Sequence, residues 1–416
     1  MCVRYKNSNF TLSKSKIRRM LQNKTYLITF ILCFLIFQTA CSQNKYGKII
    51  PAAERFSEYK SLLEGKNIAL VANQASLVED EHLVDFLLSK KINLVRIFSP
   101  EHGFRGQADA GEKVKDGFDS QTGLSVISLY GNHKKPYPED LKGVDLVVFD
   151  LQDVGVRFYT YLSTLHYMME ACAENNLPLL VLDRPNPNAH YIDGPVLESD
   201  CKSFVGMHPV PIVYGMTIGE YARMINGEKW LKDGVQCKLT VIELDNWSRD
   251  SRYELPVKPS PNLPNYQSIQ LYPSLCFFEG TVVSAGRGTD FPFQTFGHPL
   301  MNQKNFKFKP RSIEGASKNP KFRDKLCFGK DLRTADVDEL RLKQKLNLSF
   351  LLDAYSELNG KTKFFNAFFE KLAGTKDLRQ QITEGKSEEQ IRQTWQKRLN
   401  RFKLMRKKYM IYPEAY

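Results

Sequence analysis

Between residues 67 and 211 the chain alternates short, unbroken apolar runs with stretches of helical spacing, and no other feature limits its possible folds as strongly. The runs are 67–73 (NIALVAN), 93–98 (NLVRIF), 125–129 (SVISL), 145–150 (DLVVFD) and 177–182 (LPLLVL). Apolar, β-branched-rich segments without polar alternation are what strands covered on both faces require. Between them, 79–90 (EDEHLVDFLLSK) and 159–175 (YTYLSTLHYMMEACAEN) have helical spacing. Strand–helix alternation predicts an α/β fold with a doubly wound, mostly parallel sheet.

Polar residues crowd just after the strand ends: Asn73-Gln74, Ser99-Pro100-Glu101-His102, Asp150-Leu151-Gln152-Asp153 and Asp183-Arg184-Pro185-Asn186. In open α/β sheets ligands bind at that carboxyl edge, so the site is expected there. Residues 210–213 and 238–244 read as further strands with a helix over 217–227 between them. From 256 to 299 the chain is rich in Pro, Gly and aromatics. Few helices tolerate that many prolines, so ordered loop and short strands are expected. Helical segments at 348–358 and 387–409 follow. The resulting division is 41–66 as linker and N-terminal segment, 67–255 as the sheet domain and 256–416 as a smaller C-terminal domain.

The net charge of +13 lies at the two ends. Residues 1–40 hold seven basic residues and no acid, and 361–416 hold 14 Lys/Arg against 6 Asp/Glu, which leaves 41–360 at −2. A nearly neutral body argues against a nucleic-acid partner. The basic C-terminal tail reads as a solvated helix face. Residues 26–37 (YLITFILCFLIF) form a 12-residue apolar run behind a basic flank. As a helix this rises about 18 Å, too short for a bilayer core of about 30 Å, and it reads as the apolar region of a signal peptide within 1–40. Met20 would give that peptide a more ordinary start. Thr39-Ala40-Cys41 resembles a bacterial lipobox, with Gln38 where Leu is usual, so export and a membrane anchor through lipid on Cys41 are expected. The later cysteines, 172, 201, 237, 276 and 327, are odd in number and widely spaced, as buried apolar residues are.

Nucleotide and elbow-type serine hydrolase chemistry lack their motifs: G-x-G-x-x-G, G-x-x-x-x-G-K-[ST] and G-x-S-x-G are absent. The His residues form no zinc pattern, and a metal held by Asp150, Asp153 and Asp183 is the weaker alternative, so neither metal nor cofactor is expected. Carboxylates at strand ends remain. Glu101 stands in SPEHGFRG (99–106), beside His102 and two glycines, where partial desolvation suits a general acid and a loop acceptor is the plain alternative. The run DLQDVGVRFYTY (150–161) adds Asp150, Asp153, Arg157 and Tyr159, although Asp153 alone could be a helix cap. FFEGTVVSAGRGTDF (277–291) adds Glu279, Arg287 and Asp290, of which Arg287 and Asp290 could simply pair. Carboxylates, aromatics and arginines without a cofactor motif suit glycosidic bond cleavage, or carbohydrate binding without turnover.

These motifs occur in order with LYG (129–131), VLDRPNP (181–187), DGP (193–195), GMTIGEYA (215–222), PSPNLP (259–264), FEGT (278–281) and SAGRGTDFPF (284–293). The succession closely resembles the NamZ-like exo-β-N-acetylmuramidases, long catalogued as a domain of unknown function. The resemblance runs from about residue 67 to the C-terminus and departs at Tyr214, where the family's His is expected. It implies a Rossmann-like domain with a C-terminal auxiliary α+β domain and a site in the cleft between them. It also implies release of N-acetylmuramic acid from the non-reducing end of peptidoglycan fragments, with Glu101 as the catalytic acid. His102 would then orient Glu101 or rival it, and Asp150, Asp153 or Asp290 would take the opposing role. Asn73, Tyr159, Asp183, Arg184 and Glu279 would contact substrate, and Arg287 or Arg157 would meet the lactyl carboxylate of the muramic acid. A non-catalytic muropeptide-binding lipoprotein of the same fold is the alternative.

Overall fold

The computed structural model describes residues 47–104, 116–302 and 305–414. The proposed signal peptide, Cys41, and Arg105 and Gly106 of the SPEHGFRG run lie outside the described residues. The strands are β1 (Ile68–Ala72), β2 (Leu77–Val78), β3 (Glu81–His82), β4 (Leu94–Ser99), β5 (Gly117–Phe118), β6 (Ser125–Ser128), β7 (Leu146–Asp150), β8 (Pro178–Leu182), β9 (Lys238–Ile242), β10 (Thr295–His298), β11 (Lys307–Phe308) and β12 (Cys327–Asp331). Seven of them form one sheet in the order β5-β6-β4-β1-β7-β8-β9, parallel except at the β5–β6 edge. From β1 the chain first builds outward through β4 and then crosses back to β7. The carboxyl ends of β1, β4 and β7 therefore border the crevice where such sheets bind ligands.

Successive strand residues point to opposite faces, and each run divides accordingly. Ala69, Val71, Phe98, Val147, Phe149, Leu179 and Val181 enter one cluster with the helices Tyr161–Glu174 and Ile218–Gly227. Ile68, Leu70, Ile97, Leu146, Val148 and Leu180 enter the other, with the helices Phe56–Leu63 and Leu83–Ser89. The first cluster continues into the C-terminal domain through Phe277, Phe278, Phe293, Phe296, Phe350 and Phe369. That domain holds the three-stranded sheet β10-β12-β11 and the helices Ser349–Leu358 and Glu388–Arg406. Ile391, Trp395, Leu399 and Phe402 bury one face of the last helix together with Arg406, and most of its other basic residues are exposed. Cys172, Cys201, Cys237, Cys276 and Cys327 are free and buried.

Three expectations need correction. The helix placed over 79–90 starts at Leu83, because β2 and β3 form a small hairpin around Glu79, whose φ is +52°. Residues 210–213 form no sheet strand; Val213 instead makes single bridges to Val156 and Asp193. The proline-rich stretch contains a helix, Tyr266–Leu275, with Pro273 inside it. Asn265 caps its start, accepting from Ser268 N at 2.9 Å. Proline lacks the N–H that would serve the Ile269 carbonyl, and Asn188 Nδ2 supplies a donor to that oxygen at 3.2 Å.

A buried imidazole pair gives the fold a pH dependence. His208 Nε2 lies 3.0 Å from His166 Nδ1, and His208 Nδ1 lies 3.0 Å from Tyr221 Oη. Burial pulls His166 down to about 4 and His208 well below the ordinary imidazole value. The pair therefore binds fewer protons in the native state than in the unfolded chain below about pH 6.5, so its contribution to stability is complete above that pH and is lost as pH falls toward about 4. Urea midpoints of the wild type should fall further over this window than those of His166→Gln; identical slopes would refute the assignment.

Candidate active site

A cavity of about 370 Å³ opens at the carboxyl edge, between the sheet and the loops of the C-terminal domain. Three strand-end segments supply its sheet side: Glu101 and His102 after β4, Tyr130 after β6, and residues 158–161 before the helix Tyr161–Glu174. Ser260 and Asn262 of PSPNLP, and Glu279, Arg287 and Phe293, supply the opposite side.

Glu101 is partly exposed to this cavity, and a hydroxyl group engages it. Thr160 Oγ1 donates to its Oε2 at 2.8 Å, and the Tyr130 phenol lines the cavity beside it. Burial, followed by the Glu101 charge, pushes the Tyr130 phenol above its ordinary range. The turn that delivers Glu101 is strained: His102 has φ +75°, a left-handed value unfavourable for a residue with a side chain, and Gly103 follows at +76°. The Gly103 N–H closes the turn on the Pro100 carbonyl at 3.0 Å. His102 is buried, with Nε2 3.1 Å from Ser260 Oγ.

Tyr159 and Tyr161 meet edge to face, and Tyr159 Oη donates to the Pro259 carbonyl at 2.6 Å. Asn73 Nδ2 donates to Tyr161 Oη at 2.7 Å, so Asn73 supports the cavity wall from behind. On the far side Arg287 pairs with Glu279 through Nε and lies 5.1 Å from the centroid of the Phe293 ring. Burial opposes the Arg287 charge, but Glu279 outweighs it and holds the guanidinium above its usual range.

Of the residues expected at the site, Glu101, His102, Tyr159, Glu279 and Arg287 line the cavity. The others do not, and their environments explain why. Asp150 and Arg184 form a buried, two-pronged ion pair, Nε to Oδ1 at 2.5 Å and Nη2 to Oδ2 at 2.7 Å. Asp183 is fully buried and accepts from Thr217 Oγ1, Gly219 N and Tyr412 Oη at 2.7–2.8 Å; burial pushes its carboxyl up to about 7. Asp153 accepts from Gly155 N at 2.7 Å and from Tyr214 Oη, with burial raising it to about 6. Tyr214, the departure from the family pattern, thus supports a buried carboxyl. Asp290 is exposed and pairs with Arg311 at 2.6 Å, replacing the expected Arg287–Asp290 pair.

Arg157 donates four hydrogen bonds of 2.8–3.0 Å to the carbonyls of Pro195, Val210, Leu372 and Ala373, which ties the sheet domain to the C-terminal domain. A Cβ at Gly374 would stand 2.3 Å from its Nη2, so that position requires glycine. Reading the sequence did not single out Thr160, Tyr130, Ser260 and Asn262, although each lies within a motif quoted above. Their hydrogen-bonding side chains among aromatics were the available signal.

The chain is similar to known proteins over most of its length. The N-terminal domain model described as "Exo-beta-N-acetylmuramidase NamZ, N-terminal" matches residues 68–267, and its C-terminal counterpart matches 270–412. The peptidoglycan beta-N-acetylmuramidase NamZ of Bacillus subtilis is 40% identical over 373 residues, covering 85% of this chain and 89% of that protein. Two crystal structures of DUF1343 family proteins from Bacteroides fragilis are also similar. One has a TM-score of 0.83 at 46% identity and covers 89% of this chain and 100% of its own. The other has a TM-score of 0.75 at 29% identity and covers 88% and 99%. Both family models match in order across the sheet domain that carries Glu101 and the C-terminal domain that carries Glu279 and Arg287, and the chain therefore belongs to the exo-β-N-acetylmuramidase NamZ family.

Proposed function

We propose that this protein is an exo-acting glycoside hydrolase that releases N-acetylmuramic acid from the non-reducing end of peptidoglycan fragments, with Glu101 as general acid. The observation that carries this reading is Glu101 itself: a carboxyl just past the end of β4, oriented by Thr160, in a cavity shared with Tyr130 and the Glu279–Arg287 pair. Glycoside cleavage needs one carboxyl to protonate the leaving oxygen and a second group opposing it. Asp150, Asp153 and Asp290 do not line the cavity, so the opposing role passes to Glu279. The test is incubation with a N-acetylmuramyl-N-acetylglucosamine disaccharide. Free N-acetylmuramic acid supports the reading, whereas binding without release would favour the non-catalytic alternative.

Muramic acid differs from glucosamine by its lactyl carboxylate, and selectivity requires a charged donor for that anion. Arg157 spends its hydrogens on buried carbonyls, which leaves Arg287. Glu279 takes the Arg287 Nε hydrogen, and the two terminal nitrogens are the donors a lactyl carboxylate would use. Arg287→Lys should lower muramide turnover by roughly 10-fold or more, the scale of a lost charge-assisted bond, with little effect on unfolding. Unchanged preference for muramides over N-acetylglucosaminides would remove Arg287 from this role.

The same reading includes export and anchoring, for a place in cell-wall recycling, with Cys41 as the first mature residue and its lipid as the membrane contact. Wild type should take up labelled fatty acid and fractionate with membranes, and Cys41→Ser should do neither. Identical fractionation without label in either protein would refute anchoring.

A further inference from the structure

Behind the wall that carries Glu279 lies a lysine that no motif indicated. Lys321 Nζ donates to the carbonyl oxygens of Phe278 and Thr281 at 2.7 Å, and to those of Val283 and Glu279 at 3.2 and 3.3 Å. Among the described residues it forms no ion pair; its acceptors are all backbone. Its surroundings are apolar, with Phe278 and Val283 fully buried. Residues Cys276–Gly280 form a 3₁₀ turn that continues the helix Tyr266–Leu275, so the Phe278 and Glu279 carbonyls belong to a helical C-terminal end, and those of Thr281 and Val283 belong to the extended chain that follows it. Carbonyls at such an end carry partial negative charge, which an ammonium complements.

The lysine also lies close in sequence to a further piece of the cavity wall. Ala316 and Ser317, a few residues before it, line the cavity, and the Ala316 carbonyl accepts from Asn262 Nδ2 at 2.8 Å. Pro320 packs beneath Gly288: a Cβ added there would stand 2.5 Å from the proline ring, and φ is +79°. The pieces that present Glu279, Arg287 and Ser317 are thus joined around one ammonium group.

We propose that Lys321 is a positioning residue whose charged ammonium pins the 278–283 turn and thereby sets where Glu279 and Arg287 stand in the cavity. This rests on the reading above that Glu279 and Arg287 meet substrate. An ammonium offers three hydrogens to the four carbonyls. A neutral amine offers two and turns a lone pair toward the remaining oxygens, so loss of the proton loosens the turn. Burial lowers the Lys321 amine to about 8; Glu279 and Cys276 oppose that change, and Arg287 adds to it. Arg287 is held above its usual range and Cys276 is pushed well above its own, so neither titrates near Lys321. The pin therefore releases as pH rises through about 8.

Amide hydrogen exchange of the full chain, corrected for intrinsic base catalysis, tests this without relying on turnover. The Val282 and Ser284 amides are informative because they bond the Phe364 and Gly297 carbonyls at 2.8 and 2.9 Å. In the wild type, protection of this turn should fall roughly tenfold between about pH 7 and about pH 9, while the β1 and β7 amides show no such step. Lys321→Met should lack that protection already at pH 7, and Lys321→Arg, which keeps the charge, should retain it at pH 9. On a muramide substrate, Lys321→Met should lower kcat and raise KM together, each by several-fold, because Glu279 opposes Glu101 in the chemistry and Arg287 holds the substrate, whereas Lys321→Arg should keep both near wild type at pH 7. Flat protection across pH 7–9 in the wild type, or wild-type exchange in Lys321→Met, overturns the proposal. If Lys321→Met does not fold, the wild-type pH series and Lys321→Arg still decide. A wild type that shows the exchange step but turns over no muramide would refute the glycosidase reading and leave the pin standing.

Discussion

Glu101→Gln is expected to lower turnover of a disaccharide with an unactivated leaving group by roughly 10²–10⁴-fold, the usual contribution of a positioned general acid. The amide keeps the shape and still accepts a hydrogen bond from Thr160, which now reaches Oε2 at 2.8 Å, so folding and most ground-state binding should persist. Only the transferable proton is removed. The strained turn explains why position matters here. His102 sits at φ +75° and Gly103 at +76°, and the buried strand β4 fixes where that turn begins. The experiment compares kcat on the natural disaccharide with kcat on an activated aryl muramide. A large loss on the first and a small loss on the second identify an acid that protonates the leaving oxygen, because an activated leaving group needs little protonation. Near wild-type turnover of the disaccharide by a folded variant would remove Glu101 from the role. His102, 3.1 Å from Ser260 Oγ, would then be the next group to substitute.

Asp150→Ala is expected to cost about 3–5 kcal/mol of folding stability, the range for removing one partner of a buried ion pair. Arg184 would be left with its guanidinium buried and a single described partner, the Leu77 carbonyl at 2.9 Å. The loss comes from an uncompensated buried charge. Replacing both partners by apolar residues of similar size, Asp150→Leu with Arg184→Met, should recover much of it, since the pair itself contributes little beyond offsetting its own desolvation. Urea unfolding of the two single variants and the double variant forms the cycle that measures this coupling. A fully stable Asp150→Ala protein with abolished turnover would instead return Asp150 to the chemistry.

These two carboxylates show what could be read along the chain. Both follow apolar runs, and both were placed at the carboxyl edge from sequence alone. Glu101 lies one turn beyond β4, after Pro100, where the chain has left the sheet and can face a cavity. Asp150 is the last residue of β7, a central strand between β1 and β8, and there it can reach only the neighbouring strand's Arg184. That difference depends on strand order, which a linear reading of the chain does not contain. Arg157 illustrates the same point: a strand-end arginine suggests an anion site, yet its acceptors are carbonyls 38 to 216 residues away.

Legible along the chain were the α/β class, five of the sheet's seven strands to within about one residue, the sheet edge where the cavity opens, and Glu101 with Glu279 and Arg287 among the groups that line it. The strands could be read because those buried on both faces need unbroken apolar runs, and because that signal is local. Tertiary structure alone decided which strand-end carboxylates reach the cavity and which are neutralised beneath it. It also decided that a proline-containing helix survives at Tyr266–Leu275 and that Lys321 braces Glu279 from 42 residues away. Each of these outcomes depends on a donor or charge supplied by a distant segment: Arg184 for Asp150, Asn188 for the carbonyl Pro273 leaves open, and Lys321 for a turn of the cavity wall. Hydrogen bonds and ion pairs act over about 3 Å in space, and the spacing of residue types along a chain carries no record of which distant segments will come that close.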